Sequence, residues 1–307
     1  MTEGLEKRQN GSHAASSRRL IEWLLEHAFL AAAFASVMIV LLIFTFLFSN
    51  GLQAFRDITA IRFFTGTVWQ PVSEEPKYGL VPMLAGSLLV TGLSIAFSVP
   101  ISILCAMYLS QVASPTVREI AKPVIEMLAA IPSVVYGFVA LVIIADLIQG
   151  ALHNPIRLNA LNASIVLTFM VAPTVVSISE DAISSVPQEY KEAALALGAS
   201  KWEMISRVVL PSSLSGIFVA VMLGVGRAIG ETMAVLMAAG NAAVVSFNPL
   251  DSVETMTAVI AIEMGEVTFN STHFYALFAV GGVLFLFTLA INLVAQVAVK
   301  RYKALGR

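Results

Sequence analysis

The sequence predicts an all-α integral membrane protein with six transmembrane helices. Three observations lead to this prediction. Of the 307 residues, 58% are apolar and 12% are charged, whereas soluble domains carry about 25% charged residues. The apolar residues form six long blocks, and Lys and Arg are concentrated in alternate segments between them. This composition excludes an ordinary soluble enzyme.

Each of the six blocks is long enough to cross a bilayer, since a helix needs about 20 apolar residues to span about 30 Å of hydrocarbon. The first block has no small-residue cleavage site after it, which favours a retained anchor helix over a signal peptide. We expect a transmembrane domain over residues 26–300, between a tail at 1–25 and a tail at 301–307. The predicted spans lie at about 28–48, 80–111, 123–147, 159–180, 212–239 and 273–299.

The basic residues orient these spans. With the N-terminus inside, thirteen of the 18 Lys and Arg residues fall in cytoplasmic segments and one, Arg227, falls within a span. Only four basic residues fall outside: Arg56, Arg62, Lys77 and Arg157. Cytoplasmic segments of membrane proteins carry an excess of Lys and Arg. The sequence therefore predicts that both termini are cytoplasmic.

Residues that could support catalysis or metal binding are sparse. Cys105 is the single cysteine and lies in an apolar block, so neither an internal disulfide nor a cluster of thiolate ligands can form. His153 and His273 stand alone in the sequence. The chain contains no G-x-x-x-x-G-K-[ST] loop that would cradle nucleotide phosphates. We expect no catalytic site, no metal and no cofactor.

The most polar internal stretch is the loop at residues 185–211, between the fourth and fifth spans. Pro187 suits the first position of a helix and Gly198 suits a left-handed C-terminal cap, while Ser200 and Glu203 have the spacing of a capping box. Two short helices are predicted, the first about 11 residues long, or about 16 Å. Its alanine-rich surface suits docking into a groove of another protein. The alternative is a solvated helical hairpin.

The loop contains Glu192, Ala193 and Ala194, then Gly198 four residues later, and it ends with Val208, Leu210 and Pro211. This pattern resembles the EAA loop of ABC-importer permeases, which usually has isoleucine in the place of Val208. The resemblance implies an importer permease of the type I, MetI-like fold. It also implies that the loop inserts into a cleft on a separate ATPase subunit, so that this chain is not itself an enzyme. The residues that carry the pattern, and that we assign to ATPase coupling, are Glu192, Ala193, Ala194, Gly198, Leu210 and Pro211.

Two ionisable residues fall within the predicted fifth span. Arg227 lies deep in the span, where a charge is costly and normally faces a partner or a water-filled cavity. Glu231 follows four residues later, on the same face of a continuous helix. We assign both to the translocation pathway, with Arg227 attracting an anion and Glu231 holding or releasing the guanidinium. The alternative is a permanent ion pair that fixes helix packing. Thr174, beside Pro173, is a weaker candidate for the pore lining.

Residues 224–241, GVGRAIGETMAVLMAAGN, and the segment at 63–91 resemble the PstC-type permease of phosphate-specific ABC importers. The resemblance implies transport of inorganic phosphate into the cytoplasm across a bacterial inner membrane. It implies four partners besides phosphate and membrane lipid: a PstA-type permease, two copies of a PstB-type ATPase and an external PstS-type binding protein. The chemistry of Arg227 fits sulfate equally well, so a permease for another oxyanion stays open. An ion-coupled secondary anion transporter is a further alternative.

The remaining acidic residues have simpler expected roles. Glu180 and Asp181 are expected to end the fourth span at the membrane interface, and Lys122 is expected to pair with Glu126, four residues later. The segment at 241–272 contains the apolar run TMTAVIAIEMG. This run is expected either as a short helix against the bundle or as part of a solvated acidic loop.

Overall fold

The computed structural model describes the backbone of residues 3–305 and the side chains of residues 22–297. Contacts divide the chain into two units, residues 1–50 and residues 51–307. The first unit is helical, and the predicted tail at 1–25 has helical backbone from Glu3 onward. The predicted tail at 301–307 is helical up to Leu305. The first two and last two residues of these tails lie outside the described residues.

The chain alternates long helices with short connecting elements. The first half contains α1 (Glu3–Gly51), a 3₁₀ turn (Leu52–Arg56), α2 (Ala60–Thr65), β1 (Trp69–Gln70), β2 (Lys77–Tyr78), α3 (Val81–Gln111), α4 (Pro115–Ala130), α5 (Ser133–Val139), a π turn (Ala140–Ile144) and α6 (Ala145–Leu152). The second half contains α7 (Ala160–Ser184), α8 (Gln188–Ala196), α9 (Lys201–Met204), a π turn (Ile205–Val209), α10 (Leu210–Gly230), α11 (Met233–Ala238), α12 (Met256–Glu263) and α13 (Thr272–Leu305). Strands β1 and β2 form an antiparallel hairpin.

Six helical stretches within residues 22–297 are long and apolar enough to span a membrane, which confirms the predicted number. The largest differences from the predicted ends are at two spans: the third begins at residue 133 instead of 123, and the fifth runs from 201 to 230 instead of from 212 to 239. The spans are Glu22–Arg56, Val81–Gln111, Ser133–Leu152, Ala160–Ser184, Lys201–Gly230 and Thr272–Val297.

The third span begins late because a proline interrupts the helix. The side chain of Ser114 caps α4 by accepting a hydrogen bond from the Val117 amide. The helix ends at Ala130, and both Ile131 and Pro132 have extended backbone, with ψ of 130° and 139°. Proline cannot donate a backbone hydrogen bond and disfavours helical geometry in the residue before it. Residues 115–130 are therefore a separate helix.

Pro211, in contrast to Pro132, does not interrupt its helix. It lies in the first turn of α10, directly after the π turn at Ile205–Val209. A proline ring would clash with the carbonyl four residues earlier, here that of Arg207. The π turn is wider than an α-helical turn, so the proline ring and this carbonyl stay apart. Residues 201–230 therefore form one continuous span. The second loop helix is thus the start of the fifth span.

Helix α7 is the most deeply buried span and lies at the centre of the second unit. Small hydroxyl residues join it to α3: Ser164 donates to the Val90 carbonyl at 3.2 Å and Thr168 to the Ser94 carbonyl at 3.3 Å. Ser102 of α3 donates in return to the Ala172 carbonyl at 3.3 Å. Small and hydroxyl residues allow close helix approach in membranes. This interface holds α7 in place and so positions the site described below.

The two ends of the bundle differ in structure. We call the end that carries residues 185–211 the loop end and the other the far end. At the far end, α12 packs against the bundle with Met256, Ala258 and Val259 fully buried. Of the two interpretations of this segment, the short helix against the bundle is confirmed and the solvated loop is wrong.

Candidate functional site

Arg227 lies in the last turn of α10, three residues from the end of the fifth span rather than deep within it, and is exposed on the surface of the chain. Its Nη1 lies 3.5 Å from Oγ1 of Thr174 and its Nη2 lies 3.4 Å from the Ala129 carbonyl. Both contacts are long for hydrogen bonds, whose usual N–O distance is about 2.9 Å. Within residues 22–297, the guanidinium makes no ion pair with a carboxylate. The structure thus brings Arg227 and Thr174 together and leaves the positive charge uncompensated.

The expected pairing of Arg227 with Glu231 is wrong, because the helix ends between them. Glu231 has extended backbone, with φ of −70° and ψ of 129°. Its carboxylate accepts a hydrogen bond from the Ala234 amide at 3.2 Å, and its carbonyl accepts one from Thr257 Oγ1 at 2.9 Å. Glu231 therefore caps the first turn of α11. Residues four apart in sequence lie on the same face only where the helix is continuous.

A second helix interruption lies beside this one. The break between α4 and α5 follows Ala129, whose carbonyl faces Arg227. Across the break, Tyr136 Oη donates to the Leu128 carbonyl at 2.9 Å. Helix α5 then packs closely on α11: a Cβ added to Gly137 would lie 3.1 Å from the Ala234 Cα. The break between α4 and α5 and the break between α10 and α11 thus lie near one cation that forms no ion pair within residues 22–297.

This arrangement has the properties of an anion site. Interrupted helices leave backbone groups free within the membrane, and such breaks form substrate sites in transporters. Arginine keeps its charge at all physiological pH values and presents a planar fork of donors that matches an oxyanion. Since the present contacts of Arg227 are long and lead to neutral oxygens, a bound oxyanion could replace them with shorter, charge-assisted hydrogen bonds.

The loop at residues 185–211 has the predicted local structure. Helix α8 is nine residues long rather than about 11, and it ends before Gly198, whose φ of +86° confirms the left-handed cap. Ser200 and Glu203 form both hydrogen bonds of the capping box. Within this loop, local patterns in the sequence were sufficient because each hydrogen bond joins residues that are close together in the chain.

Three of the six residues assigned to ATPase coupling line a groove at the loop end. The groove has a volume of about 610 Å³, and its lining includes Ala193, Ala194, Gly198 and Arg207. Glu192 and Pro211 are exposed, whereas Leu210 is half-buried and packs on the local core. Beside the groove, Leu197 is 90% exposed. A groove with exposed apolar and small residues is a suitable surface for docking another protein.

An ion-pair cluster at the loop end was missed from the sequence. Glu180 has a side-chain exposure of 1% and pairs with Arg118 and with Lys122, whose Nζ lies 2.7 Å away. Lys122 also contacts Asp181 at 2.5 Å. The expected pairing of Lys122 with Glu126 is wrong, since Glu126 instead accepts from Ser177 Oγ at 3.1 Å. Glu180 is a buried link between α7 and α4, and not an interfacial helix end.

The same cluster includes hydroxyl groups. Ser184 Oγ donates to Glu180 at 2.7 Å and lies 2.9 Å from Ser110 Oγ at the end of α3. The hydrogen bond to Asp181 and, as a smaller effect, the hydrogen bond to Glu180 raise the pKa of Lys122 above its ordinary value. Lys122 therefore stays charged, and the cluster joins three helices. The basic residues of α4 and the acidic residues of α7 were the only indication in the sequence.

Glu254, at the far end, is a second buried carboxyl that the sequence did not single out. The residue is 5% exposed, and its side chain makes no hydrogen bond with the described residues. Burial, together with the charge of Glu263, raises the pKa of Glu254 to about 8. Glu263 itself accepts from Trp69 Nε1 at 3.0 Å and lies 2.7 Å from His273 Nε2. Glu254 is therefore protonated at neutral pH.

Comparisons with known proteins agree with this architecture. Residues 98–304 match the family described as "Binding-protein-dependent transport system inner membrane component". The chain is 38% identical to the probable ABC transporter permease protein YqgH of Bacillus subtilis, covering 80% of this chain and 82% of that protein. It is 34% identical to the phosphate transport system permease protein PstC of Xylella fastidiosa, covering 89% of each.

Solved structures share the fold at lower sequence identity. A bacterial ABC transporter that imports the acidic polysaccharide alginate matches with a TM-score of 0.61 and 20% identity, covering 92% of this chain and 99% of that one. The MetNI methionine ABC transporter, in an inward-facing conformation, matches with a TM-score of 0.56 and 18% identity, covering 73% of this chain and 95% of that one. The type I ABC-importer permease fold is thus confirmed. This multi-pass inner-membrane chain belongs to the binding-protein-dependent transport system inner membrane component family, and it is an ABC transporter permease rather than an enzyme.

Proposed function

We propose that this permease conducts inorganic phosphate into the cytoplasm as one subunit of an ATP-driven importer. The observation that supports this proposal most directly is the uncompensated guanidinium of Arg227 beside two interrupted helices. The relatives named PstC are phosphate transport system permeases and are similar over most of this chain. Membership in an ABC permease family favours ATP-driven transport over an ion-coupled carrier.

Arg227 and Glu231 would have separate roles in the pathway. An uncompensated cation within a membrane costs about 2.5 kcal/mol or more, and a bound oxyanion would offset that cost. Glu231, held at the break between α10 and α11, does not neutralise the cation. Glu231 would instead move together with the segment between α10 and α11, because its contacts join α11 to α12 through Thr257. Thr174 supplies a neutral oxygen to Arg227 when no anion is bound.

The groove around α8 would receive the ATPase. We propose a complex with a PstA-type permease, two PstB-type ATPase subunits and an external PstS-type binding protein. The family description supports a binding protein, and one structural relative is an alginate transporter in complex with a substrate-bound periplasmic protein. The exposed residues Glu192, Ala193 and Gly198 would lie in the cleft of the ATPase. Motion of that subunit on ATP binding would then reach α10 through the continuous helix at 201–230.

This assembly places the loop end, and both termini, in the cytoplasm. The distribution of Lys and Arg supports this orientation. Labelling would test it with single cysteines placed at Leu197 and Val72, both exposed, in a Cys105→Ser background. A membrane-impermeant maleimide added to intact cells should label the cysteine at position 72 and not that at position 197. The reverse pattern would contradict the orientation.

The substrate assignment is tested by Arg227→Gln, measured as phosphate uptake in cells that lack other phosphate importers. We expect uptake at subsaturating phosphate to fall about 10- to 100-fold, because a charge-assisted hydrogen bond contributes about 1.5–3 kcal/mol. Arg56→Gln is the matched control, since Arg56 is an exposed arginine outside the site. Sulfate uptake is measured in parallel. Unimpaired phosphate uptake by Arg227→Gln would contradict the assigned site, and sulfate transport by the wild type would contradict the substrate.

The coupling assignment is tested by Gly198→Trp. A side chain at this position would meet open space, but the backbone of the new residue would have to adopt a φ of +86°. The substitution therefore distorts the cap of α8 without disturbing the core. We expect the complex to assemble and its ATPase activity to lose its dependence on transport, with phosphate uptake reduced at least about tenfold. Tyr190→Phe is a control for a conservative change on the same groove. Coupled uptake at the wild-type rate would argue against the role of the groove.

A further inference from the structure

A second cavity, of about 650 Å³, opens at the far end between α2 and the β1–β2 hairpin. Its walls are held by the core: Phe63 and Trp69 are buried, and the Leu80 amide donates to the Phe63 carbonyl at 2.9 Å. Gly66 and Gly79 pack so closely that a Cβ on Gly66 would lie 2.8 Å from the Gly79 Cα. The cavity is therefore a fixed part of the fold.

The charged lining of this cavity is basic. Arg62 and Lys77 line it, and neither forms an ion pair with any residue in 22–297. Asp57 is the one acidic residue among the lining residues, and its carboxylate accepts a hydrogen bond from Thr272 Oγ1 at 2.7 Å. Two cations and one carboxylate leave one net positive charge. This charge matches a singly charged phosphodiester.

Exposed apolar residues lie close to the cavity lining in the chain. Leu52 precedes Asp57 by five residues, and Ile61 and Phe64 are exposed on α2, on either side of Arg62. Trp69 of the hairpin is buried and donates to Glu263, so it does not contribute to this apolar surface. The exposed apolar surface beside the basic cavity is therefore formed by Leu52, Ile61 and Phe64.

We propose that this cavity binds the headgroup phosphate of an anionic phospholipid, with the acyl chains lying along Leu52, Ile61 and Phe64. The Arg62 guanidinium can hold two phosphate oxygens and the Lys77 ammonium a third. Inorganic phosphate offers the same oxygens but has no apolar part to cover Leu52, Ile61 and Phe64. A lipid satisfies both features. The proposal is independent of the transported substrate, since it depends only on the far-end cavity and the exposed apolar residues beside it.

Lipid retention by the purified full-length protein tests this site. Native mass spectrometry would count phosphatidylglycerol and phosphatidylcholine retained from equimolar mixed micelles, for the wild type, Arg62→Gln, Lys77→Gln and the double variant. We expect the wild type to prefer phosphatidylglycerol. Each substitution should weaken that preference about fivefold, and both together about 25-fold, as expected for basic residues beside anionic lipid. Arg56→Gln, an exposed arginine of the same end that does not line the cavity, should change it less than about twofold.

Three results would overturn the proposal. Equal retention of the two lipids by the wild type, or an unchanged preference in the double variant, would remove the lipid site. If millimolar inorganic phosphate released phosphatidylglycerol but not phosphatidylcholine, the cavity would be a site for soluble phosphate instead. Arg62 and Lys77 are exposed, so we expect the variants to fold, and a melting temperature near that of the wild type verifies this.

Discussion

Glu180 and Arg227 are both charged residues of membrane-spanning helices, and the protein treats them differently. Glu180 is buried among two cations and a hydroxyl group, so its charge is satisfied within the chain. Among the described residues, Arg227 contacts only neutral oxygens, at 3.4 Å and 3.5 Å. A charged side chain within a membrane normally faces a charged partner or water. The comparison indicates that the Glu180 cluster is neutralised within the chain and fixes the structure, whereas no carboxylate in residues 22–297 neutralises Arg227.

Glu254 completes the comparison, because it too has no hydrogen-bond or ion-pair partner among the described residues but can lose its charge. Its pKa of about 8 leaves the carboxyl neutral at physiological pH. Arginine has no such option, since its guanidinium stays protonated in proteins. A buried carboxyl without a partner therefore becomes an ordinary polar group. An arginine without a partner continues to attract anions.

The largest effect is expected from Glu180→Ala. Removing one partner of a buried pair costs about 3–5 kcal/mol, and we expect about 3 kcal/mol here because Arg118 and Lys122 can partly reach solvent. The free energy of unfolding in detergent, from denaturant titration followed by tryptophan fluorescence, measures this loss. Asp181→Ala is the matched control: Asp181 is the neighbouring residue, shares Lys122 and is 64% exposed, so its removal should cost less than about 1 kcal/mol. Equal losses in the two variants would contradict a structural role specific to Glu180.

The next effect is the pH dependence of stability caused by Glu254. In the unfolded chain this carboxyl ionises near its ordinary pKa of 4.5, whereas the folded protein keeps the proton to about pH 8. The folded state therefore binds more protons in this interval, and its stability falls as pH rises from about 4.5 to about 8, then levels off. Glu254→Gln removes this decline and should be more stable than the wild type at pH 8.

Melting temperatures at pH 5 and pH 8 would measure the effect. The difference between Glu254→Gln and the wild type should be small at pH 5 and large at pH 8. Glu266→Gln serves as the control, because Glu266 is an exposed carboxyl of the same segment. A constant difference at both pH values would show that Glu254 is ionised in the folded protein, and the contrast with Arg227 would then fail.

The sequence was a good guide wherever the deciding contacts are local. The number of spans follows from hydropathy, and the cap at Gly198 and the box at Ser200 each depend on residues within a few positions. The contacts at the two compared sites are distant in sequence. Glu180 meets Arg118 and Lys122 across 62 and 58 residues. No periodicity within one helix can reveal such pairs.

The error at Glu231 has the same origin. Hydropathy continues through residues 231–239, so a single helix was expected, and Arg227 and Glu231 were placed on one face. The helix instead ends at Gly230, where Thr257 bonds the Glu231 carbonyl from 26 residues away. Pro132 was a usable local indication of the other break, since it follows a capped, helix-length segment. The break at Glu231 had no comparable indication, because tertiary contacts stabilise it.

The smallest expected effect is that of Arg227→Gln on stability, and it distinguishes the Arg227 site most clearly from the Glu180 cluster. Arg227→Gln should change the free energy of unfolding by less than about 1 kcal/mol, because the lost contacts are long and the residue is exposed on the chain. The same variant should lose the rise in melting temperature that phosphate produces in the wild-type complex, since a ligand stabilises only the state that binds it. Arg227→Lys keeps the charge but not the bidentate geometry, and should retain part of that rise. If Arg227→Gln instead destabilised the protein as much as Glu180→Ala, the guanidinium would be a structural group like the Glu180 cluster, and an anion would not be needed to explain its place in the membrane.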